Sequence, residues 1–332
     1  MRVSYKDMHS QFVRVLSKYG LDKEKAGLSA TMFADASLDG VYTHGLNRFP
    51  KFIKSVENGS VLINNEPRLE SSFGSLERWD GQQGPGNLNA YTCMNRAIAL
   101  AKEHTIGCVA LRNTNHWMRP GTYGLMAIKE NCIGALWTNT VPNMPPWGGK
   151  DARLGNNPMV VGLPHGDTPV LLDVAMSMYS YGKLEMYKAQ GRLLPIDGGF
   201  DKEGNKTNDP AKILETHQVF PIGYWKGSGL SLVLDLISAT LSGGCTSCQV
   251  GKLPTETNLS QVFFAIDLNR FPDQEELKAK IGESLEDMKT STPQEPGKVV
   301  RFPGEGLVQV RKENTELGIP VDEAIWNKVC NL

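Results

Sequence analysis

Between residues 5 and 19, Met8, Phe12, Val15, Leu16 and Tyr19 recur three and four positions apart, which places them on one face of a helix. Asp22 is a capping residue ahead of a second helix that runs to about Leu38, where Asp39-Gly40 stops it. A third helical stretch is predicted from Gly45 to Val56. Residues 1–60 therefore read as a small helical unit with a polar junction at Val41–Arg48.

Alternating elements follow. Asn89–His104 carries Ala90, Cys93, Met94, Ala97, Ile98 and Ala101 along one side of a helix. Ile106–Leu111, Ile133–Thr138, Met159–Leu163 and Val170–Val174 are short apolar runs of the kind that form buried strands. The loops at Thr140–Pro158 and Gly191–Pro210 are long enough to expect a functional reason for them. After Gly227 a helix is predicted with Leu230, Val233, Leu234, Ile237 and Leu241 inward, and Val262–Leu268 reads as a strand. Leu277, Ile281, Leu285 and Met288 mark an amphipathic helix, and Asp322 caps a last one ending near Asn331. The pattern is a mixed α/β (α+β) core, residues 61–271, flanked by the N-terminal unit and C-terminal helices from about residue 272 to 332. No GxGxxG follows a strand and opens a helix, and GQQGPGNL at 81–88 has the wrong spacing, so a Rossmann domain is disfavoured.

Charge narrows the partners. With 35 Lys+Arg against 36 Asp+Glu the net charge is −1, which gives no electrostatic case for nucleic acid or an anionic membrane. Any anion must be held by local groups. The N-terminus lacks the apolar run of a secretory signal, so a cytoplasmic protein is expected. Cys93, Cys108 and Cys132 lie within apolar patterns. Cys245 and Cys248 form a CxxC with no second pair of ligands, and are expected to be free thiols rather than half of a zinc site.

Four segments carry candidate chemistry. In YTHGLNR, His44 and Arg48 are four apart and project together if the turn is helical, a proton donor beside a carboxylate clamp, while Gly45 leaves room for a ligand. Taken alone, the same pair fits a surface histidine next to an unrelated arginine. Asn113–Gly124 crowds polar and aromatic groups, His116 among them, at a strand end where α/β proteins place sites; a packed structural loop is the alternative. The Trp137–Pro158 segment, rich in Pro and Gly, suits either a pocket wall for a flat group or a rigid loop. In GYWKGSG at 223–229, Lys226 and free backbone N–H groups at a helix start suit a phosphate, without the P-loop spacing. GxSxG and HExxH are absent, and the six histidines are scattered, so no metal is expected.

Together the strings VYTHGLNRFPKFI, LRNTNHWMRPGTYG, WTNTVPNMPPWGGKDARLGNNP, LLDVAMSMYSYG, LLPIDGGFD and PIGYWKGSGLSLVLD resemble the type-2 malate/lactate dehydrogenase family of NAD(P)-dependent oxidoreductases, over essentially the whole chain. NHWMR and MPPWG point to a subgroup acting on 2-oxo sugar acids. The resemblance implies a non-Rossmann, largely antiparallel sheet, N- and C-terminal helices packed together, a homodimer, and NADH or NADPH as cofactor. It implies His44 as proton donor, with Arg48 and His116 near the substrate. It places cofactor contacts at Pro169, Val170, Leu171, Leu172, Asp173, Val174 and Ala175, at Trp225 and Lys226, and at Gly304, Glu305 and Gly306. Asp173 either meets the nicotinamide end or orients a catalytic group. The Cys245/Cys248 loop matches no family motif.

The expected chemistry is hydride transfer to the C2 carbonyl of a 2-oxo acid, with a protonated His44 at the carbonyl oxygen and Arg48 on the carboxylate. An imidazole near its ordinary pKa of about 6.5 suits that task. Two other readings stand beside it: a sister dehydrogenase for malate, lactate, sulfolactate or ureidoglycolate, and a non-catalytic sugar-acid or nucleotide-binding module. A pure binder needs no proton donor.

Overall fold

The structure, a computed structural model, describes residues 1–332. The chain opens with β1 (Arg2–Val3), α1 (Tyr5–Lys18), α2 (Lys23–Leu38), a 3-10 turn (Tyr42–His44) and α3 (Phe49–Glu57). The central part runs β2 (Arg68–Phe73), β3 (Leu76–Asp80), α4 (Gly86–His104), β4 (Ile106–Thr114), α5 (Gly121–Lys129), β5 (Cys132–Thr138), β6 (Met159–Leu163) and β7 (Val170–Val174). Then come α6 (Tyr181–Ala189), β8 (Gly199–Phe200), β9 (Lys206–Thr207), α7 (Pro210–Thr216), α8 (Trp225–Ser242), α9 (Ser247–Val250) and β10 (Leu259–Asp267). The chain ends on α10 (Gln274–Lys289), α11 (Glu305–Leu317), β11 (Ile319–Pro320) and α12 (Glu323–Cys330).

The terminal helices form where their caps and apolar stripes predict. Ser4, Asp22 and Asp322 accept backbone N–H groups of Asp7, Lys25 and Ile325, satisfying donors that a helix start leaves open. Phe12 of α1, Phe33 of α2, and Phe49 and Phe52 of α3 pack ring against ring, with centroids 4.3 to 5.9 Å apart. That cluster fixes the handover from α2 to α3. The two ends of the chain meet: β1 pairs with β11, α11 lies on α2, and α12 on α1 and α3.

The third helix begins at Phe49 rather than Gly45. Pro50 sits in its first turn, and a helix continued upstream would drive the proline ring into the Leu46 carbonyl. His44 therefore lies in a separate 3-10 turn and Arg48 caps α3, so the shared helical face expected for the pair does not exist.

Seven strands form the main sheet in the order β2-β3-β4-β10-β5-β6-β7. Five of its six pairings are antiparallel; only β3 and β4, joined through α4, run parallel. β4, β10 and β5 form its buried centre, and β7 is an edge. The hairpin β2–β3 is not foreshadowed by the sequence pattern, because RLESSF is mostly exposed and lacks alternation.

The inward face of α8 differs from the expected one. Gly227, Ser231, Asp235, Ser238 and Ser242 are buried, while Leu230, Leu232, Val233, Leu236 and Ile237 are exposed; of the predicted apolar face only Leu234 is buried. The polar stripe goes inward because it is hydrogen-bonded there. Asp235 Oδ1 accepts from Asn139 Nδ2 and the Ser247 N–H, both at 2.8 Å, and Asn157 Nδ2 donates to the Ser231 carbonyl at 2.9 Å. The Trp137–Pro158 segment is thus tied to α8 by its asparagines. Cys93, Cys108 and Cys132 are buried, whereas Cys248 is exposed on α9. No helix is long and apolar enough to cross a membrane.

Candidate active site

Three segments deliver polar side chains to one place: the 3-10 turn, the start of α3, and the loop from β4 to α5. Gly45 sets the first. A Cβ there would overlap the Ser37 hydroxyl and stand 2.8 Å from the Ser37 nitrogen, and the Leu46 N–H donates to that hydroxyl at 2.9 Å. The glycine is needed for close approach to α2, not for the ligand access expected of it. His44 is held by its neighbour, with Thr43 Oγ1 3.0 Å from its Nδ1. A hydroxyl can donate to neutral imidazole or accept from imidazolium, so Thr43 suits both states. His44 Nε2 has no partner in the protein.

The His116 ring lies beside that of His44, with centroids 6.0 Å apart and planes at 22°. Its Nδ1 accepts the Met118 N–H at 3.0 Å, which leaves Nε2 to carry the proton as a donor. The loop reverses at Met118, whose φ of 63° is left-handed. Beyond Pro120 it becomes α5, so the polar stretch predicted as loop from Asn113 to Gly124 begins in β4 and ends in helix from Gly121.

The Arg48 guanidinium makes neither a hydrogen bond nor an ion pair within the protein, its backbone alone bonding to Gly45 and Phe52, although Glu256 and Glu185 face it at longer range. A largely enclosed guanidinium without a partner is an anion site in waiting. Burial, then Arg48, then Arg119 hold His44 down at about 4. His116 is likewise held well below the usual imidazole value by burial, with Arg48, His44 and Lys51 adding to it. Both rings are thus neutral at pH 7, and in place of the imidazole near 6.5 that the sequence led us to expect, the structure presents one whose charged form is disfavoured by burial and by the neighbouring guanidinium groups.

The segments singled out for a cofactor fall into two groups. β7 and Gly304–Gly306 adjoin: the Leu171 N–H donates to the Pro303 carbonyl at 2.9 Å, and a Cβ on Gly304 would stand 2.5 Å from the Pro169 oxygen. Leu172 and Asp173 face solvent, so this part of β7 is open. Asp173 Oδ2 accepts the Gly121 N–H at 2.9 Å. Although Asp173 reaches solvent, the protein around its carboxyl pushes it up to about 6, opposed by Arg119 and the Gly121 N–H. One oxygen of Glu305 is buried without a partner. An open strand edge, a glycine cradle and an unsatisfied acceptor fit an extended ligand bearing hydroxyl groups.

Trp225 and Lys226 form the second group. The helix starts at Trp225, two residues before the predicted point, and the N–H groups of Lys226, Gly227 and Ser228 already donate to Gly223, Ile222 and Tyr224 carbonyls. The free N–H cluster expected here is therefore absent. Lys226 Nζ instead lies 5.9 Å over the Trp225 ring, free of any ion pair. Nearby, Trp147 packs on Tyr224 at 5.0 Å, and its loop walls a cavity of about 380 Å³ with Phe200 and Phe220.

Gly304 has φ +96°, so Gly304→Ala combines a left-handed strain of about 1–2 kcal/mol with the overlap at Pro169. If this segment holds the nicotinamide cofactor that the resemblance implies, its affinity should fall at least about tenfold, read by fluorescence titration of NADH and NADPH beside a melting curve. Unchanged affinity would remove this segment from the cofactor site.

Residues 3–330 match the family described as malate/L-lactate dehydrogenase. The chain is 43% identical, over 99% of both proteins, to the 2,3-diketo-L-gulonate reductase of Escherichia coli O139:H28. Among solved structures it is similar to malate dehydrogenase from Pyrococcus horikoshii OT3, with TM-score 0.89 and 32% identity, covering 100% of this chain and 95% of that one. It is also similar to sulfolactate dehydrogenase from Methanocaldococcus jannaschii, with TM-score 0.88 and 30% identity over 100% and 97% of the two chains.

Proposed function

Because the chain belongs to the malate/L-lactate dehydrogenase family, we propose that it reduces the C2 keto group of a polar 2-oxo sugar acid, 2,3-diketo-L-gulonate, to 3-dehydro-L-gulonate. The observation that carries the reading is the unpartnered Arg48 guanidinium beside His44, whose Nε2 is free. The guanidinium takes the carboxylate on two oxygens and so fixes which carbonyl faces the reductant. His44 Nε2 delivers the proton as negative charge builds on the carbonyl oxygen, and the His116 Nε2–H is a second donor beside it. Binding of the anion at Arg48 offsets one of the charges that keep His44 neutral, so substrate and proton arrive together.

The cofactor, NADH or also NADPH, supplies the hydride. It would be held by Pro169–Ala175 on the open edge of a non-Rossmann sheet, by Gly304–Gly306, and by Trp225 and Lys226. In this reading residues 1–60 and about 272–332 form one helical unit on the core of residues 61–271, and the enzyme works in the cytoplasm as a homodimer. The exposed Leu230, Leu232, Val233, Leu236 and Ile237 of α8 support the dimer, since such a patch is rarely left to water. Changing Leu232 and Leu236 together to Glu should give monomers in sedimentation velocity; an unaltered dimer would place the interface elsewhere.

The deciding experiment follows oxidation of NADH and of NADPH with 2,3-diketo-L-gulonate, oxaloacetate, pyruvate and sulfopyruvate. The sugar acid should have the highest kcat/KM. Preference for another member of the panel would move the chain to a sister activity, and cofactor binding without any turnover would make it a binding module.

A further inference from the structure

The glycine-rich segment between β3 and α4 lies along the strand end that carries His116. The Gln83 N–H donates to the Asn113 carbonyl at 2.8 Å, and Asn115 Nδ2 donates back to the Gln83 and Gly84 carbonyls at 2.9 and 3.0 Å. At Gly86 the two backbones touch: a Cβ there would stand 2.2 Å from the Asn115 oxygen and 2.4 Å from the His116 oxygen. From α5, Tyr123 Oη donates to the Trp117 carbonyl at 2.5 Å. Tyr123 is 1% exposed, with its ring against Trp117 and Phe263. A phenol in such a place is costly unless its hydroxyl has a partner, and here that partner is the peptide beside His116. Burial pushes the hydroxyl well above the usual phenol range, so it stays a donor.

We propose that Tyr123 is a positioning residue for keto reduction, acting on His116 through the single peptide unit between Trp117 and Met118. The Trp117 carbonyl and the Met118 N–H are opposite edges of that one planar group. Tyr123 Oη donates to the oxygen, and the N–H donates to His116 Nδ1 at 3.0 Å. A donor on the carbonyl polarises the peptide and strengthens its N–H towards the imidazole. It also fixes the plane, and with it the direction and tautomer of the His116 Nε2–H. The restraint is needed because Met118 is held at a left-handed φ of 63°, a conformation that a residue with a side chain keeps only when its surroundings hold it there. Segment 81–86 is the backstop that keeps Asn115 and the His116 backbone from yielding. The proposal rests on the reading of His116 as a donor to the substrate carbonyl.

Tyr123→Phe keeps the buried ring and removes only the hydroxyl. Nitrogen NMR at pH 7 without substrate should show His116 of the wild type as the Nε2–H tautomer. In Tyr123→Phe its two nitrogen shifts should move towards each other, as Nδ1 loses its fixed donor. With 2,3-diketo-L-gulonate and NADH, kcat should fall about tenfold and KM stay within about twofold. His116→Ala should by itself lower kcat about 10²-fold. In that background Tyr123→Phe should change kcat by less than about twofold, because its target is gone. A tenfold loss that persists without His116 makes Tyr123 a general support of the fold and overturns the proposal. Unchanged His116 nitrogens or wild-type kcat in Tyr123→Phe do the same, as does a wild-type His116 found as the Nδ1–H tautomer, which needs no variant. Wild-type kcat in His116→Ala sinks the reading of His116 as a donor, and the proposal with it. The NMR shifts need no substrate, so they show separately whether Tyr123 orients the ring.

Discussion

Replacing His44 by Ala is expected to lower kcat for keto reduction by about 10²–10⁴-fold while NADH affinity stays within about twofold. The loss corresponds to about 3–5 kcal/mol of transition-state stabilisation. It falls on kcat because the proton is needed only as the carbonyl oxygen becomes negative. Wild-type pH dependence should carry the same signature. His44 sits near 4 in the free enzyme, held there first by burial and then by Arg48 and Arg119. Its folded value is thus depressed, the proton is absent above about pH 5, and kcat/KM for reduction should fall about tenfold per pH unit from there upward. In the reverse direction the neutral ring is the competent base, so kcat/KM for oxidation should not fall over that range. His44→Ala should lose the slope along with the rate. A variant within a few-fold of wild-type kcat would remove His44 from the mechanism.

Arg48→Lys should be nearly as damaging despite keeping the charge. The ammonium is a point charge and cannot grip two carboxylate oxygens in a plane. Burial, which already draws Arg48 down, would act on a lysine whose pKa is easily displaced, with Lys51 close by. KM for the 2-oxo acid should rise about 10–100-fold and kcat fall about tenfold, because the carbonyl would no longer sit squarely before the hydride. The control is an uncharged amide of the same substrate. It should be poor for the wild type and little affected by the substitution. Equal losses with both compounds would mean that Arg48 supports the His44 turn structurally. Arg119 could not then take over as the anchor, because Asp39 already holds it.

Much of the scaffold was legible because its signals are local. The caps at Asp22 and Asp322, the stripe from Met8 to Leu16, and the runs that became β6 and β7 depend on neighbours a few residues away. Where the reading missed, a distant partner had intervened. α8 turned its leucines outward because Asn139 and Asn157, some 70 to 100 residues earlier, supply hydrogen bonds to its serine and aspartate stripe. α5 began inside a stretch that looked like loop, its first N–H taken by Asp173 from another strand.

The same division runs through the site. By itself the sequence determined which side chains were on offer: a histidine, an arginine and a second histidine in strings resembling a dehydrogenase family, and a charge balance that leaves anion binding to local groups. Residue type fixes what a group can donate, accept or carry, and that is written in the chain. Only the tertiary structure decided their states. His44 and Arg48 come together across a break at Gly45 rather than along a helix, His116 is fixed as a donor by the Met118 N–H, and the resting imidazoles are neutral. Protonation and orientation depend on burial and on charges brought in from the start of α3 and from the loop between β4 and α5, which lie far apart along the chain and meet only when it folds.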